Sequence, residues 1–266
     1  MTEWNAGGYY RQSALQRWVA DEHLASLTLA DGERVLDVGC GDGKITAEIA
    51  DRLPRGSVLG VDPSRDMIAF AREHFRRKNL DFAAGDATRL AYREEFDLAV
   101  SFNALHWVVD QAAALSSIRG TLRNGGRAFL ELVPQAARRS IEDVLEATRQ
   151  SARWARYFTG YRTPYLHCSP EQYARLAEAS GLRVERIETE RKQWDFGSRE
   201  GFVDWARVTF VEWTRMIPAA ERDRFIGDVL DAYAQVGDDA GPSVFVFYQM
   251  EVELRRKEIG QDHRAC

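Results

Sequence analysis

The residues best placed for chemistry are three acids carried by apolar runs. They are Asp37 in Val35-Leu36-Asp37-Val38, Asp62 closing Ser57-Val58-Leu59-Gly60-Val61-Asp62, and Asp86 closing Leu80-Asp81-Phe82-Ala83-Ala84-Gly85-Asp86. The first run leads into Gly39-Cys40-Gly41-Asp42-Gly43-Lys44, whose alternate glycines allow left-handed backbone angles and let a ligand lie against bare main chain. Ile45, Ile49 and Leu53 follow at helical spacing, so the loop opens a helix whose free N–H groups point at whatever is bound. A phosphate-binding loop of the form G-x-x-x-x-G-K-S/T fails here, because Val38 stands at its first glycine and Ile45 at its hydroxyl. A dinucleotide fingerprint G-x-G-x-x-G is weakened, because Lys44 takes the place of the third glycine that packs helix on strand. What remains is Asp-x-Gly-x-Gly-x-Gly. Asp62 supplies the bidentate acceptor that a ribose diol needs at the end of a second strand, whichever nucleoside is bound. Turn and capping acids would explain any one of the three acids but poorly explain the set.

Holding these residues together requires strands alternating with helices. Ser64 caps a helix that buries Ile68, Ala71 and Phe75, which leaves Met67 off that face and able to lie flat on an adenine ring. Phe96–Phe102 reads as a fourth strand in the middle of the sheet. Its end runs into Asn103-Ala104-Leu105-His106-Trp107, on the carboxyl side where open α/β sheets bind ligands. Asp110 caps the next helix, with Leu115, Ile118 and Leu122 buried and Asn124-Gly125-Gly126 as its stop; Arg127 to Val133 is strand five. The pattern predicts an α/β fold: a Rossmann-like, mostly parallel seven-stranded sheet, helices on both faces and right-handed crossovers.

Additions surround this core. Ser13-x-x-Gln16 fits a capping box for an extra N-terminal helix reaching about Leu27, preceded by an aromatic segment with Trp4, Tyr9 and Tyr10. From Pro134 to Pro170 the periodicity degrades, with Arg138, Arg139, Trp154, Tyr157, Phe158, Tyr161 and Tyr165 suggesting a lid or pocket wall. Ser169-Pro170-Glu171-Gln172 opens a helix that Gly181 stops. Strand six is expected over Leu182 to Glu190 and the last strand over Ser243 to Leu254. Trp194, Trp205, Phe210 and Trp213 lie on helices inserted between them. The expected division is an N-terminal lid and helix over 1–30, a ligand-binding core over 31–134, the rest of the sheet with an aromatic helical acceptor lid over 135–257, and a polar tail over 258–266.

The Asp-x-Gly-x-Gly-x-Gly loop and the strand-end acids resemble those of the class I S-adenosylmethionine (SAM) methyltransferases. Trp4-Asn5 with Tyr9, Leu15-Gln16-Arg17, and Leu105-His106-Trp107-Val108 with Asp110 resemble the group containing trans-aconitate, malonyl-acyl-carrier-protein and juvenile hormone acid methyltransferases, which esterify carboxylic acids. The resemblance implies that SAM lies against Gly39, Gly41, Gly43, Met67, Ala87 and Asn103. It implies that Asp37 faces the amino-acid end, Asp62 the ribose and Asp86 the adenine amino group. It also implies that Gln16 and Trp107 hold a substrate carboxylate. His106 stands where trans-aconitate methyltransferases have glutamine. From its residue type it is either a general base for a phenol, hydroxyl, amine or carbon acid, or a wall of the pocket. Gln16 has the alternative of only closing the capping box, and Trp107 of being core.

Composition narrows the partners. The chain of 266 residues carries a net charge of −5 with Lys and Arg scattered, so no basic stripe offers itself to nucleic acid. No apolar run is long enough to cross a bilayer, and three separated cysteines suit a reducing compartment, so a cytoplasmic protein is expected. No metal-ligand spacing occurs. The expectation is a metal-free methyltransferase acting on a small acceptor with a carboxylate, with O-, N- or C-methylation through His106 and a catalytically silent SAM-binding subunit as the other readings.

Overall fold

The computed structural model describes residues 14–237 and 241–258. The aromatic N-terminal segment, Ser13 and the tail from 259 lie outside the described residues. The apolar runs become β1 (Arg34–Val38), β2 (Ser57–Asp62), β3 (Leu80–Ala84), β4 (Phe96–Phe102), β5 (Leu122–Leu132), β6 (Leu182–Asp195) and β7 (Val244–Arg256). They form one seven-stranded sheet of order β3-β2-β1-β4-β5-β7-β6. β1 to β5 pair in parallel, while β7 runs antiparallel to both β5 and β6. From β1 the chain builds outward through β2 and β3 on one side and returns to build β4 and β5 on the other. The carboxyl ends of β1 and β4 therefore border the crevice of a topological switch point.

Burial follows strand alternation. Val35 and Leu98 pack with Ile49, Leu53 and Val58 on one face, while their neighbours Leu36 and Ala99 pack with Leu115, Ile118 and Leu130 on the other. The covering helices are α1 (Ala14–Ser26), α2 (Lys44–Arg52), α3 (Arg65–His74), α4 (Gln111–Thr121), α5 (Ile141–Arg149) and α6 (Pro170–Ala179). The expected caps form: Ser64 Oγ accepts from the Met67 N–H at 3.3 Å, Asp110 from Ala113 at 2.9 Å, and Ser169 with Gln172 makes a reciprocal capping box behind Pro170. α7 (Arg199–Thr209), α8 (Val211–Thr214) and α9 (Arg222–Tyr233) fill the insertion between β6 and β7.

Several expectations are corrected. Asn124-Gly125-Gly126 does not stop α4. That helix ends at Thr121, and the register between β4 and β5 shifts from Phe96 opposite Leu122 to Leu98 opposite Arg127. The extra residues are looped out within the strand, and Gly125 at φ +74 permits the bend. β6 and β7 outrun their expected ends to pair from Leu182 with Arg256 to Asp195 with Val244. The aperiodic stretch after β5 contains α5, opened by a capping box of Ser140 and Asp143. Its buried residues Ile141, Val144 and Leu145 face a second core of Trp154, Phe158, Phe202, Phe210, Trp213 and Phe225.

Candidate active site

A cavity of about 640 Å³ opens off the carboxyl ends of β1 to β4 and runs under α1, α5, α7 and α8. Its first half is made largely of main chain. Gly39 and Cys40 both donate to the Val61 carbonyl, at 2.7 and 3.1 Å, which ties the β1 loop to the end of β2. Gly39 has φ +82, and a Cβ there would stand 2.2 Å from the Ala104 Cβ. Gly41 donates its N–H to Asp62 Oδ2 at 3.0 Å, and Ser64 donates to Oδ1 at 2.8 Å. The Asp62 carboxylate is thus held rigidly, with a further lone pair on each oxygen for a ligand. Burial raises its pKa, and the two backbone donors oppose that shift. Met67, Ala87 and Asn103 stand on the cavity wall.

Two of the expected ligand-facing residues lie off the cavity wall, and a third is shared with a cap. Gly43 is not on the cavity wall. It caps α2 at φ +84, and a Cβ would meet the Ala71 Cβ at 2.7 Å and the Phe82 ring at 2.8 Å, so its glycine serves packing of helix on strand. Asp37 is not on the cavity wall either. Strand alternation puts it on the α2 side with Val35, where it is buried and accepts from Thr46 Oγ1 at 2.6 Å. Burial lifts its pKa to about 7; the Thr46 hydrogen bond opposes the rise and the Asp62 charge adds to it. Asp86 lines the cavity but is also a cap, since Oδ1 accepts from the Thr88 N–H at 2.9 Å and from its hydroxyl at 2.8 Å, and Oδ2 pairs with Arg89 at 3.3 Å.

The second half is aromatic. Leu105–Trp107 forms a 3-10 turn after β4, pinned by the Gln111 side-chain amide, which donates to the carbonyls of Leu105 and Val108. His106 is buried on the cavity wall, its carbonyl accepts from the Leu166 N–H at 2.8 Å, and Nδ1 accepts from the Val133 N–H at 3.4 Å. Burial, with a smaller contribution from the His167 ring 5.9 Å away, pushes its pKa down to about 3. Trp107 meets Trp213 and Tyr165 edge-on, at ring-centroid distances of 6.1 and 6.3 Å. Leu15, Val19 and Ala20 of α1 line the cavity, but the Gln16 side chain, and with it the capping-box reading, lies outside the described residues.

Sequence reasoning missed Glu212 and Arg215, which reach this wall from α8 and the residue after it, and Phe245 and Phe247, which reach it from β7. No local spacing announces them, because they meet the site only through tertiary packing. Among the described residues no group of His, Cys, Asp or Glu could hold a metal ion. No described helix is long and apolar enough to cross a membrane.

The site residues suit a nucleoside with a charged aliphatic arm: a rigid carboxylate at Asp62, an apolar slot between Val61, Met67 and Ala87, and bare main chain at Gly39 and Gly41. A methyltransferase-domain family model matches residues 35–126, which carry these features. The chain is 29% identical over 254 residues to trans-aconitate 2-methyltransferase of Deinococcus radiodurans, covering 92% of this chain and 94% of that protein. It is 28% identical over 172 residues to juvenile hormone acid O-methyltransferase of Bombyx mori, covering 60% of this chain and 62% of that one. Among solved structures, the YcgJ protein of Bacillus subtilis matches at a TM-score of 0.63 and 16% identity, over 91% of this chain and 99% of that one, a likeness of fold alone. Loop, strand order and relatives agree, and the chain carries a class I SAM-dependent methyltransferase domain.

Proposed function

We propose that this methyltransferase esterifies a small carboxylic acid, the acceptor class named for the trans-aconitate and juvenile hormone acid relatives. SAM, when bound, supplies an electrophilic methyl group on a sulfonium. Asp62 would hold the ribose diol, Met67 and Ala87 the faces of the adenine, and Asp86 its amino group. Gly39, Gly41 and Asn103 would give main-chain contacts. Asp37 acts at one remove, through the loop it anchors.

The observation that carries the carboxylate reading is the state of His106. Its Nδ1 accepts from the Val133 N–H, so in the neutral ring the proton sits on Nε2. To act as a base at Nε2 the ring would have to move that proton to Nδ1, against the Val133 donor, and then hold a positive charge in a buried site beside His167. A general base is poorly served by this arrangement, and a neutral hydrogen-bond donor is well served by it. A carboxylate nucleophile is already ionised and needs only placement by donors that do not blunt it. His106 Nε2–H and the Trp107 indole N–H are donors of that type, and Gln16 is the third candidate by sequence. The aromatic walls exclude water and hold the acceptor in line with the methyl group.

The test is to incubate the protein with SAM labelled at the methyl group and a metabolite extract, then treat the labelled product with mild alkali. A methyl ester releases labelled methanol. Label that survives alkali on nitrogen, carbon or a phenol oxygen overturns the reading.

A further inference from the structure

Glu212 is a carboxylate inside the aromatic half of the cavity. It is 7% exposed, it lines the wall, and its neighbours in sequence and space, Phe210 and Trp213, are also buried. Its Oε2 pairs with Arg215 at 2.9 Å, but the pair is lopsided: the glutamate side chain is 10% exposed and the arginine 45%. The acid is held in the cavity wall while most of the compensating charge sits at the solvent edge. Among the described residues Oε1 accepts no hydrogen bond. Among the described residues this carboxylate, largely out of water, has one half-solvated partner, and a ligand cation that completes it recovers part of the desolvation cost.

The surroundings specify the sign of that group. Trp205 and Phe210 meet edge-on at 5.8 Å, Trp205 and Phe245 lie 5.0 Å apart, and the Trp213 indole is fixed by its N–H to Glu146 Oε1 at 2.8 Å. Aromatic rings around a carboxylate favour a cation through both their quadrupoles and the charge. An anion placed here would meet Glu212, and capturing Arg215 for it would leave Glu212 buried and unpaired. Arg138 and Arg139 line the same cavity from the loop after β5, where Arg138 stacks over Tyr233 at 5.5 Å and Arg139 donates to the Asp143 carbonyl at 3.0 Å.

We propose that the acceptor half contains a subsite for a cationic nitrogen, formed by Glu212 and the walls of Trp205, Phe210 and Trp213. Trp213 also touches Trp107, so the subsite and the proposed carboxylate position are within the span of one small molecule. Combined with the carboxylate reading, on which this part alone rests, the acceptor is an acid carrying a protonated amine or a quaternary nitrogen at its far end.

The subsite can be tested without turnover, so its outcome is independent of whether esters form. Binding of 2-phenylethylammonium, 2-phenylethanol and 3-phenylpropionate to the full chain with the demethylated cofactor product present would be followed by tryptophan fluorescence. The ammonium compound should bind about tenfold more tightly than the alcohol. Glu212→Gln should erase that preference while leaving the alcohol's affinity in place. Arg215→Ala should strengthen it, because the competing cation is gone. Cofactor-product affinity measured by calorimetry reports that the variants are folded. Equal affinities, no saturable binding of the ammonium compound, or tightest binding of the propionate with loss in Arg215→Ala would overturn the proposal.

Discussion

The two halves of the cavity are built by different means. The cofactor half rests on main-chain geometry: left-handed glycines, N–H groups aimed at Asp62, and parallel strand ends whose core is largely aliphatic. The acceptor half rests on side chains gathered from α1, the turn after β4, α5, α7, α8 and β7, and its core is aromatic. α1 joins the two, since Leu15 and Val19 belong to the aromatic cluster and Leu24 and Leu27 to the sheet. A main-chain site tolerates few residue types at fixed spacings. A side-chain site can be assembled in many ways, and so it is where one fold can change its acceptor.

The dependence of the first half on bare main chain is greatest at Gly39. Gly39→Ala adds a Cβ that collides with Ala104 and forces a left-handed angle on an L residue, which should cost about 2 to 5 kcal/mol in stability. Gly32 is the control. It has nearly the same angle but open space around it, so Gly32→Ala should cost only about 1 to 2 kcal/mol. Equal losses by urea unfolding would mean that the approach of the β4 turn to the β1 loop is not tight. Asp62→Ala comes next. Removing the proposed ribose acceptor should weaken SAM binding by about 1.5 to 3 kcal/mol, read by calorimetry, with acceptor affinity at saturating SAM unchanged.

The same division decides what could be read from the sequence. The bounds of β4, the capping of α3, α4 and α6, and the wall positions of Asp62, Met67 and Asp86 follow from patterns a few residues long. Asp37 was legible as a loop acid but not in its direction. Its face is shared with Val35 and belongs to α2, and Thr46 nine residues on was the available signal. α5 escaped notice because aromatics and arginines around it mask a short apolar stripe of Ile141, Val144 and Leu145. Glu212 carried no signal at all: a glutamate beside a tryptophan on a short helix ordinarily faces solvent, and only packing of the inserted helices turns it inward.

Trp107→Phe tests the acceptor half by itself. Phenylalanine keeps the ring packing against Trp213 and Tyr165 but removes the indole N–H. The expected loss is about 1 to 2 kcal/mol in kcat/KM for a carboxylate acceptor, with SAM affinity intact. A parallel loss of SAM binding would mean that the two halves are not separable at this turn.

The smallest effect is a cancellation between the halves. His106 and Asp37 are both buried, and burial shifts each toward its neutral form, in opposite senses. The folded pKa of His106, about 3, lies below the ordinary value near 6.5, so as pH falls through 6.5 the unfolded chain takes up a proton that the folded one refuses, and stability is lost. The folded pKa of Asp37, about 7, lies above the ordinary value near 3.8, so as pH falls through 7 the folded chain takes up the proton first, and stability is gained. Between pH 7.5 and 5.5 each contribution is about 1 to 2 kcal/mol, and they offset in the parent protein. His106→Gln should leave only the gain, so that variant becomes more stable on acidification across this window relative to the parent. Asp37→Asn keeps an acceptor for Thr46 and should leave only the loss. Urea denaturation at several pH values measures both slopes. If His106→Gln follows the parent curve, the histidine is not held neutral, and the donor role that supports the carboxylate reading falls with it.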